Sequence, residues 1–243
     1  KEYRALGITT ALSPQVDLTT EPRWSRFMGS FGESSKLNAD LARAYCDGFQ
    51  TSEGDAEIAD GWGYDSVNAM VKHWPGGGAV EGGRDAHFAC GKYSVYPGDN
   101  FDEHLVPFTE GAFKLEGKTQ KASAVMPYYT VVFGQPGGEN VGCSYSKYLI
   151  NDLLREKYGY DEVVCTDWSI TGDETEIDSM YSGKCWGVEN LTEAQRCYKI
   201  LMAGVDQFGG LNTKEPILKA YKLGVEEHGE TFMRTRMEAS ARR

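Results

Sequence analysis

The chain is short of basic charge and of histidine and has no long apolar run, and each shortage removes a class of function. Lys and Arg number 25 against 36 Asp and Glu, a formal net charge of -11. A phosphate-tracking surface needs clustered cations to displace counterions, so no nucleic-acid partner is expected. No stretch of eighteen apolar residues occurs, and the opening Lys1-Glu2-Tyr3-Arg4 has no apolar signal core. No membrane partner is therefore expected. The six cysteines, Cys46, Cys90, Cys143, Cys165, Cys185 and Cys197, form no CxxC pair and have no histidine at metal-ligand spacing. Neither a metal nor any other cofactor is expected from this pattern. Cys46, Cys165 and Cys197 fall inside apolar patterns, where a thiol is usually a small buried hydrophobe. The phosphate-binding fingerprints GxGxxG and GxxxxGK[ST] are missing, and Gly76-Gly77-Gly78 follows His73-Trp74-Pro75 without opening a helical pattern. No dinucleotide site is therefore expected.

What is present is an ordinary globular balance over 243 residues, 40% hydrophobic and 25% charged, enough for one large domain or two small ones. Apolar runs at residues 7–13, 67–73, 122–126, 163–166 and 205–208 read as strands and alternate with helix-like stretches. Ser35 precedes a stripe of Leu37, Leu41, Ala44 and Tyr45, with Gly48 placed as a left-handed stop. Residues 146–158 repeat this pattern with Leu149, Ile150, Leu153 and Leu154, followed by Gly159, and Asn190-x-x-Glu193 has the spacing of a capping box.

Near-continuous apolar strands alternating with helices indicate a parallel sheet covered by helices, either a (β/α) barrel or a doubly wound fold. The missing phosphate fingerprints favour a (β/α)8 TIM-barrel type. In a barrel the C-terminal strand ends converge on one site. Here those ends read Lys72-His73, Met126-Pro127-Tyr128-Tyr129 and Thr166-Asp167-Trp168. Five strands fall short of eight, so only part of a barrel is expected in this chain.

Several ordered stretches, LSPQVDL (12–18), EPRWSRFMGSFGE (21–33), VKHWPGGG (71–78), AVMPYY (124–129) and VVCTDW (163–168), resemble the N-terminal domain of family 3 glycoside hydrolases. The likeness runs over nearly the whole of residues 1–243. It implies a retaining, exo-acting β-glucosidase in which Asp167, in the (S/T)-D-W motif, is the nucleophile. It further implies that Arg26, Lys72 and His73 bind sugar hydroxyls, that Tyr129 lies beside Asp167, and that Trp168 supplies an apolar wall. Arg84 and Asp85 would lie in the loop flanking that subsite. A β-glucoside or oligosaccharide is the implied partner, with a following α/β domain, absent here, supplying the acid/base Glu. Location outside the cytoplasm, periplasmic or secreted, fits a polysaccharide-degrading role.

Retaining hydrolysis needs two carboxyl-type groups about 5–5.5 Å apart, one attacking and one protonating. Asp167 follows the run Val163-Val164-Cys165, which would hold its backbone while the carboxylate emerges at the strand end. Taken singly, Asp167 reads as a helix N-cap and Tyr129 and Trp168 as core aromatics, while Arg26 has a second reading as a surface cation and Lys72 and His73 as a solvated strand end. Asp85-Ala86-His87 resembles the D-x-H pair of N-acetylglucosaminidases in the same family, which makes His87 an alternative acid/base. The Pro75-Gly76-Gly77-Gly78 run instead resembles the glucosidase branch. A β-xylosidase and a sugar-binding or inert fragment are the other readings. Asp206 and Gln207 read as support for the site or the rim, and Arg234, Arg236, Arg242 and Arg243 as the solvated face of a terminal helix.

Overall fold

The first long helix shows how local rules and packing combine. Ser34, one residue before the expected cap, accepts a hydrogen bond from the Leu37 amide and opens the helix Ser35–Gln50. The helix buries Asn38, Ala39, Ala42, Cys46 and Gln50 on one face. Gly48 does not stop it. The helix continues to Gln50 because that carboxamide is anchored: Oε1 accepts from the Ala69 and Ser123 amides, and Nε2 donates to the Lys121 carbonyl and Thr119 Oγ1. This computed structural model describes residues 1–137, 139–176 and 179–243.

The chain divides into two compact units, one of Lys1–Ala79 with Tyr96–Met126, the other of Val80–Val95 with Pro127–Arg243. In the first unit, strand Thr10–Ala11 pairs in parallel with Asn68–Trp74, and Ala124–Pro127 follows in the sheet order. The expected strand at 7–13 is thus shorter than its apolar run, which continues through a parallel bridge between Gln15 and Lys72. Helix Phe101–Val106 runs into a further helical segment, Pro107–Ala112, that crosses Ser35–Gln50. Gly111 makes the crossing close, since a Cβ there would come within 2.7 Å of the Ala39 carbonyl. Trp74, fully buried, meets the edge of Phe108 at 5.4 Å.

In the second unit, strand Val163–Val164 precedes Cys165, which bridges in parallel to Gln207. The expected strand at 205–208 amounts to that one bridge, with Gln207 donating to Val164 and accepting from Thr166. Helix Tyr148–Lys157 buries the expected Leu149, Ile150, Leu153 and Leu154, and Gly159 takes a left-handed φ of 61° after it. Helix Glu193–Ala203 is capped two residues later than Asn190: Thr192 and Gln195 form the reciprocal capping box. Helices Glu215–His228 and Glu230–Arg242 complete the unit, with Cys197, Leu201 and Ala220 in their shared core.

The terminal arginines are not uniformly solvated. The Asp206 side chain, 1% exposed, accepts from Arg155 Nη2 at 2.6 Å, the Val164 amide, Ser240 Oγ and Arg243 Nη1. Arg236 reaches the Leu201 and Val205 carbonyls. Helix C-termini leave carbonyls without intrahelical donors, and this guanidinium satisfies one at the end of Glu193–Ala203. Asp206 is therefore a structural anchor, one of the two roles its position suggested. Cys46, Cys165 and Cys197 are buried free thiols, as their apolar surroundings imply, and burial pushes Cys46 and Cys197 up to about 12. No helix of the described residues is long and apolar enough to cross a membrane.

Candidate active site

The first unit gathers polar groups at the end of the strand Asn68–Trp74. His73 is 1% exposed, and its Nδ1 lies 2.8 Å from Oδ2 of Asp17, a residue with no solvent exposure. The His73 amide donates to Asp17 Oδ1 at 3.0 Å and the Gly77 amide to the same oxygen at 2.5 Å. Burial would push the Asp17 carboxyl upward, yet attraction to the His73 ring and the donors from His73 and Gly77 hold it below the usual carboxylate range. On the other side of the ring, Arg26 Nη2 lies 3.1 Å from His73 Nε2. A guanidinium can only donate, so Nε2 accepts and the imidazole proton is assigned to Nδ1. Gln15 braces Arg26 in both directions, accepting from its Nη2 and donating to its carbonyl. Lys72 is half-buried, and its backbone pairs with Pro14 and Val16. Gly78 is a steric requirement: a Cβ there would collide with the Leu18 carbonyl.

The second unit places Asp167 three residues beyond Val163–Val164, 7% exposed. Tyr129 Oη donates to Asp167 Oδ1 at 2.8 Å and the Trp168 amide to the same oxygen at 2.7 Å. Two donors on one oxygen fix the carboxylate's rotation. The backbone beneath is pinned as well, since Thr166 Oγ1 accepts from the Gly209 amide at 2.8 Å. No helix opens after Asp167; the next residues are turns, and Ser169 has a φ of 59°. The Trp168 ring, 39% exposed, lies over Gly209 and Gly210, where any Cβ would collide with the indole.

Asp85 and His87 form the expected pair: Asp85 Oδ1 accepts from the His87 amide at 2.9 Å and from Nδ1 at 2.5 Å. The His87 ring meets Tyr129 edge-on at 4.8 Å. Asp85, His87, Tyr129 and Asp167 therefore form one connected group within this unit. Arg84 turns outward toward Glu81, 3.9 Å away, with more than half of each side chain exposed.

Two participants were not among the residues expected from the sequence. Asp17 sits in LSPQVDL, and a lone acid between Val16 and Leu18 in an apolar run was its available signal. Lys184 had none. It is 1% exposed, donates to the Met180 and Ser182 carbonyls, and lies 5.7 Å from the Tyr129 ring centroid. Burial lowers its pKa, opposed by the charges of Asp167 and Asp85. Among the described residues, no three His, Cys, Asp or Glu side chains gather as metal ligands.

The model described as the glycosyl hydrolase family 3 N terminal domain matches residues 1–243. Beta-glucosidase C of Emericella nidulans is 45% identical over 225 residues, covering 92% of this chain and 34% of that protein. A periplasmic beta-glucosidase/beta-xylosidase of Dickeya chrysanthemi is 40% identical over 238 residues, again covering 92% and 34%. Beta-glucosidase from Listeria innocua, solved in complex with isofagomine, has a TM-score of 0.66 at 24% identity, over 95% of this chain and 27% of that one. That last likeness concerns the fold alone. The chain spans about a third of the length of the curated relatives it matches. A family model matched from the first residue to the last, together with relatives at 40% and 45% identity, shows that this chain belongs to glycosyl hydrolase family 3 and represents its N-terminal domain.

Proposed function

We propose that this chain is the nucleophile-bearing part of a retaining, exo-acting β-glucosidase that releases terminal glucosyl residues through a covalent intermediate on Asp167. The observation that carries the reading is the buried Asp167 carboxylate at a strand end, held by Tyr129 Oη and the Trp168 amide. The names of the 45% and 40% identical relatives support the sugar class. A positioned carboxylate of this kind attacks the anomeric carbon while a second group protonates the leaving oxygen. In the next half-reaction water, deprotonated by that second group, releases the sugar. Arg26 and Lys72 are proposed as donors to sugar hydroxyls, His73 as the sugar-subsite residue that orients the Arg26 guanidinium through Nε2, and the Trp168 ring as an apolar wall. The protonating carboxyl is assigned to a Glu outside these 243 residues.

The test is to trap the adduct. Incubation of the full-length enzyme with a 2-deoxy-2-fluoro-β-glucoside bearing a good leaving group should label the peptide containing residues 163–168. Asp167→Gly should abolish turnover, and azide should restore it with formation of an α-glycosyl azide. A label on any other carboxylate removes Asp167 from the mechanism.

One observation favours a second reading for the protonating group: the Asp85–His87 pair lies against Tyr129, the donor to Asp167. An imidazole backed by a carboxylate can serve as general acid/base. In full-length His87→Ala, a large loss on poor leaving groups that vanishes on an activated aryl glycoside assigns this role to His87. An equal loss on both leaves it a loop-ordering residue.

A further inference from the structure

A second patch in the Val80–Val95 and Pro127–Arg243 unit is unused by the chemistry above. Phe133 is 63% exposed and Tyr93 37% exposed, and with Glu81, Val95 and Asn140 they line a groove of about 320 Å³. That is within the size range of small-ligand pockets.

The walls of the groove are fixed by backbone pairing. Tyr93–Ser94 runs parallel to Val131–Val132, and the Phe133 amide donates to the Ser94 carbonyl at 3.0 Å. Val80, next to Glu81, bridges Ser94. Gly142, two residues past Asn140, bridges Val131. Four chain segments are thus locked around the five lining residues. The Lys92 ammonium lies 5.6 Å above the Tyr93 ring, so Phe133 supplies the bare ring face.

The chemistry of the lining selects among occupants. An exposed aromatic face beside a carboxylate and a carboxamide matches a ligand with an apolar face and a rim of hydroxyls. A purely apolar partner would bury the Glu81 carboxylate with only the Arg84 guanidinium, 3.9 Å away, to offset it, which is costly. An anionic partner would meet the Glu81 charge directly. A pyranose ring satisfies all three groups: its axial C–H face stacks on Phe133, and its equatorial hydroxyls donate to Glu81 and exchange hydrogen bonds with Asn140. Position fits as well. Phe133 is four residues beyond Tyr129, the donor to Asp167, a span of at most about 14 Å of extended chain.

We propose that the groove lined by Glu81, Tyr93, Val95, Phe133 and Asn140 binds a sugar ring of a β-linked oligosaccharide, with Phe133 as its stacking platform. The choice of ligand rests on the glycosidase reading above. This subsite selects for longer chains over simple glucosides.

The test compares full-length wild type, Phe133→Ala, Phe133→Trp and Asn140→Ala on β-linked gluco-oligosaccharides of two to five sugars and on p-nitrophenyl β-glucoside. Phe133→Ala should lose roughly tenfold in kcat/KM on chains long enough to reach the groove, the size of one aromatic stacking contact. It should act normally on the nitrophenyl glucoside. Phe133→Trp should keep the preference for longer chains, and Asn140→Ala should weaken it. An unchanged length profile in Phe133→Ala overturns the proposal, as does an equal loss on every substrate or a loss confined to the nitrophenyl glucoside. If wild type hydrolyses none of these substrates, the glycosidase reading fails, and calorimetric titration with a tetrasaccharide decides the groove separately. Weaker binding by Phe133→Ala supports the site; unchanged affinity or absence of binding overturns it.

Discussion

His104 should make this fold sensitive to mild acid. Its ring is 1% exposed, and among the described residues neither nitrogen has a hydrogen-bond partner. Tyr96 meets it edge-on at 5.1 Å, and the missing side chain of Gly76 leaves its space, since a Cβ there would lie 2.9 Å from His104 Cβ. Burial pulls the imidazole from 6.5 down to about 4, against the opposing attraction of Asp17 and Glu103. The folded value is the lower one, so the unfolded chain takes up the proton first. Stability is complete above pH 6.5 and is lost as pH falls toward 4, by at most about 1.4 kcal/mol per pH unit. For a single site, the loss between pH 7.5 and 4.5 comes to about 2.5 kcal/mol. Urea unfolding of wild type and His104→Leu at those two pH values isolates this term, because the carboxylates are common to both proteins. With four histidines in the chain, ring NMR can follow His104 directly. Parallel pH dependence in the two proteins, or a His104 ring that titrates between 6 and 7, would refute the reasoning.

Three further outcomes are expected. Gln50→Ala strips buried partners from the Ala69 and Ser123 amides and the Lys121 carbonyl, and should lower unfolding stability by about 3 kcal/mol in urea titrations. Gly78→Ala forces a Cβ into the Leu18 carbonyl, so loss of soluble protein or a drop of several kcal/mol in stability should follow; wild-type stability would mean that the backbone yields there. Treating the full-length enzyme with EDTA should leave its turnover unchanged, since carboxyl chemistry suffices for glycosyl transfer; loss of activity that is restored by a divalent ion would show otherwise.

Element type was legible in the sequence where apolar periodicity was strong, and element ends were not. The runs at 67–73 and 122–126 became strands because side chains buried on both faces leave little alternative. The end of the first long helix was hidden because Gln50 is held by backbone groups nineteen and seventy-three residues away, which no local pattern contains. Arg236 misled for a related reason: a guanidinium in an apparently charged face was paired with helix-end carbonyls. In the candidate site, Asp167, Tyr129 and His73 were marked by short motifs at strand ends. Asp17 and Lys184 act on residues 56 and 55 positions distant, His73 and Tyr129, which no local pattern contains.

The cluster around Asp206 sets a practical limit on how this domain can be cut. One carboxylate holds the helix Tyr148–Lys157 through Arg155, the strand Val163–Val164 through its amide, and the segment Glu230–Arg242 through Ser240. An expression boundary drawn before Arg236 would take away the donors to the Leu201 and Val205 carbonyls and the Ser240 donor on Asp206. The carboxylate that braces the strand leading to Asp167 would then keep Arg155 and the Val164 amide but lose its donors from the last helix. Versions shortened by even one helix should therefore show faster amide exchange at Val164 and Cys165, far from the cut in sequence.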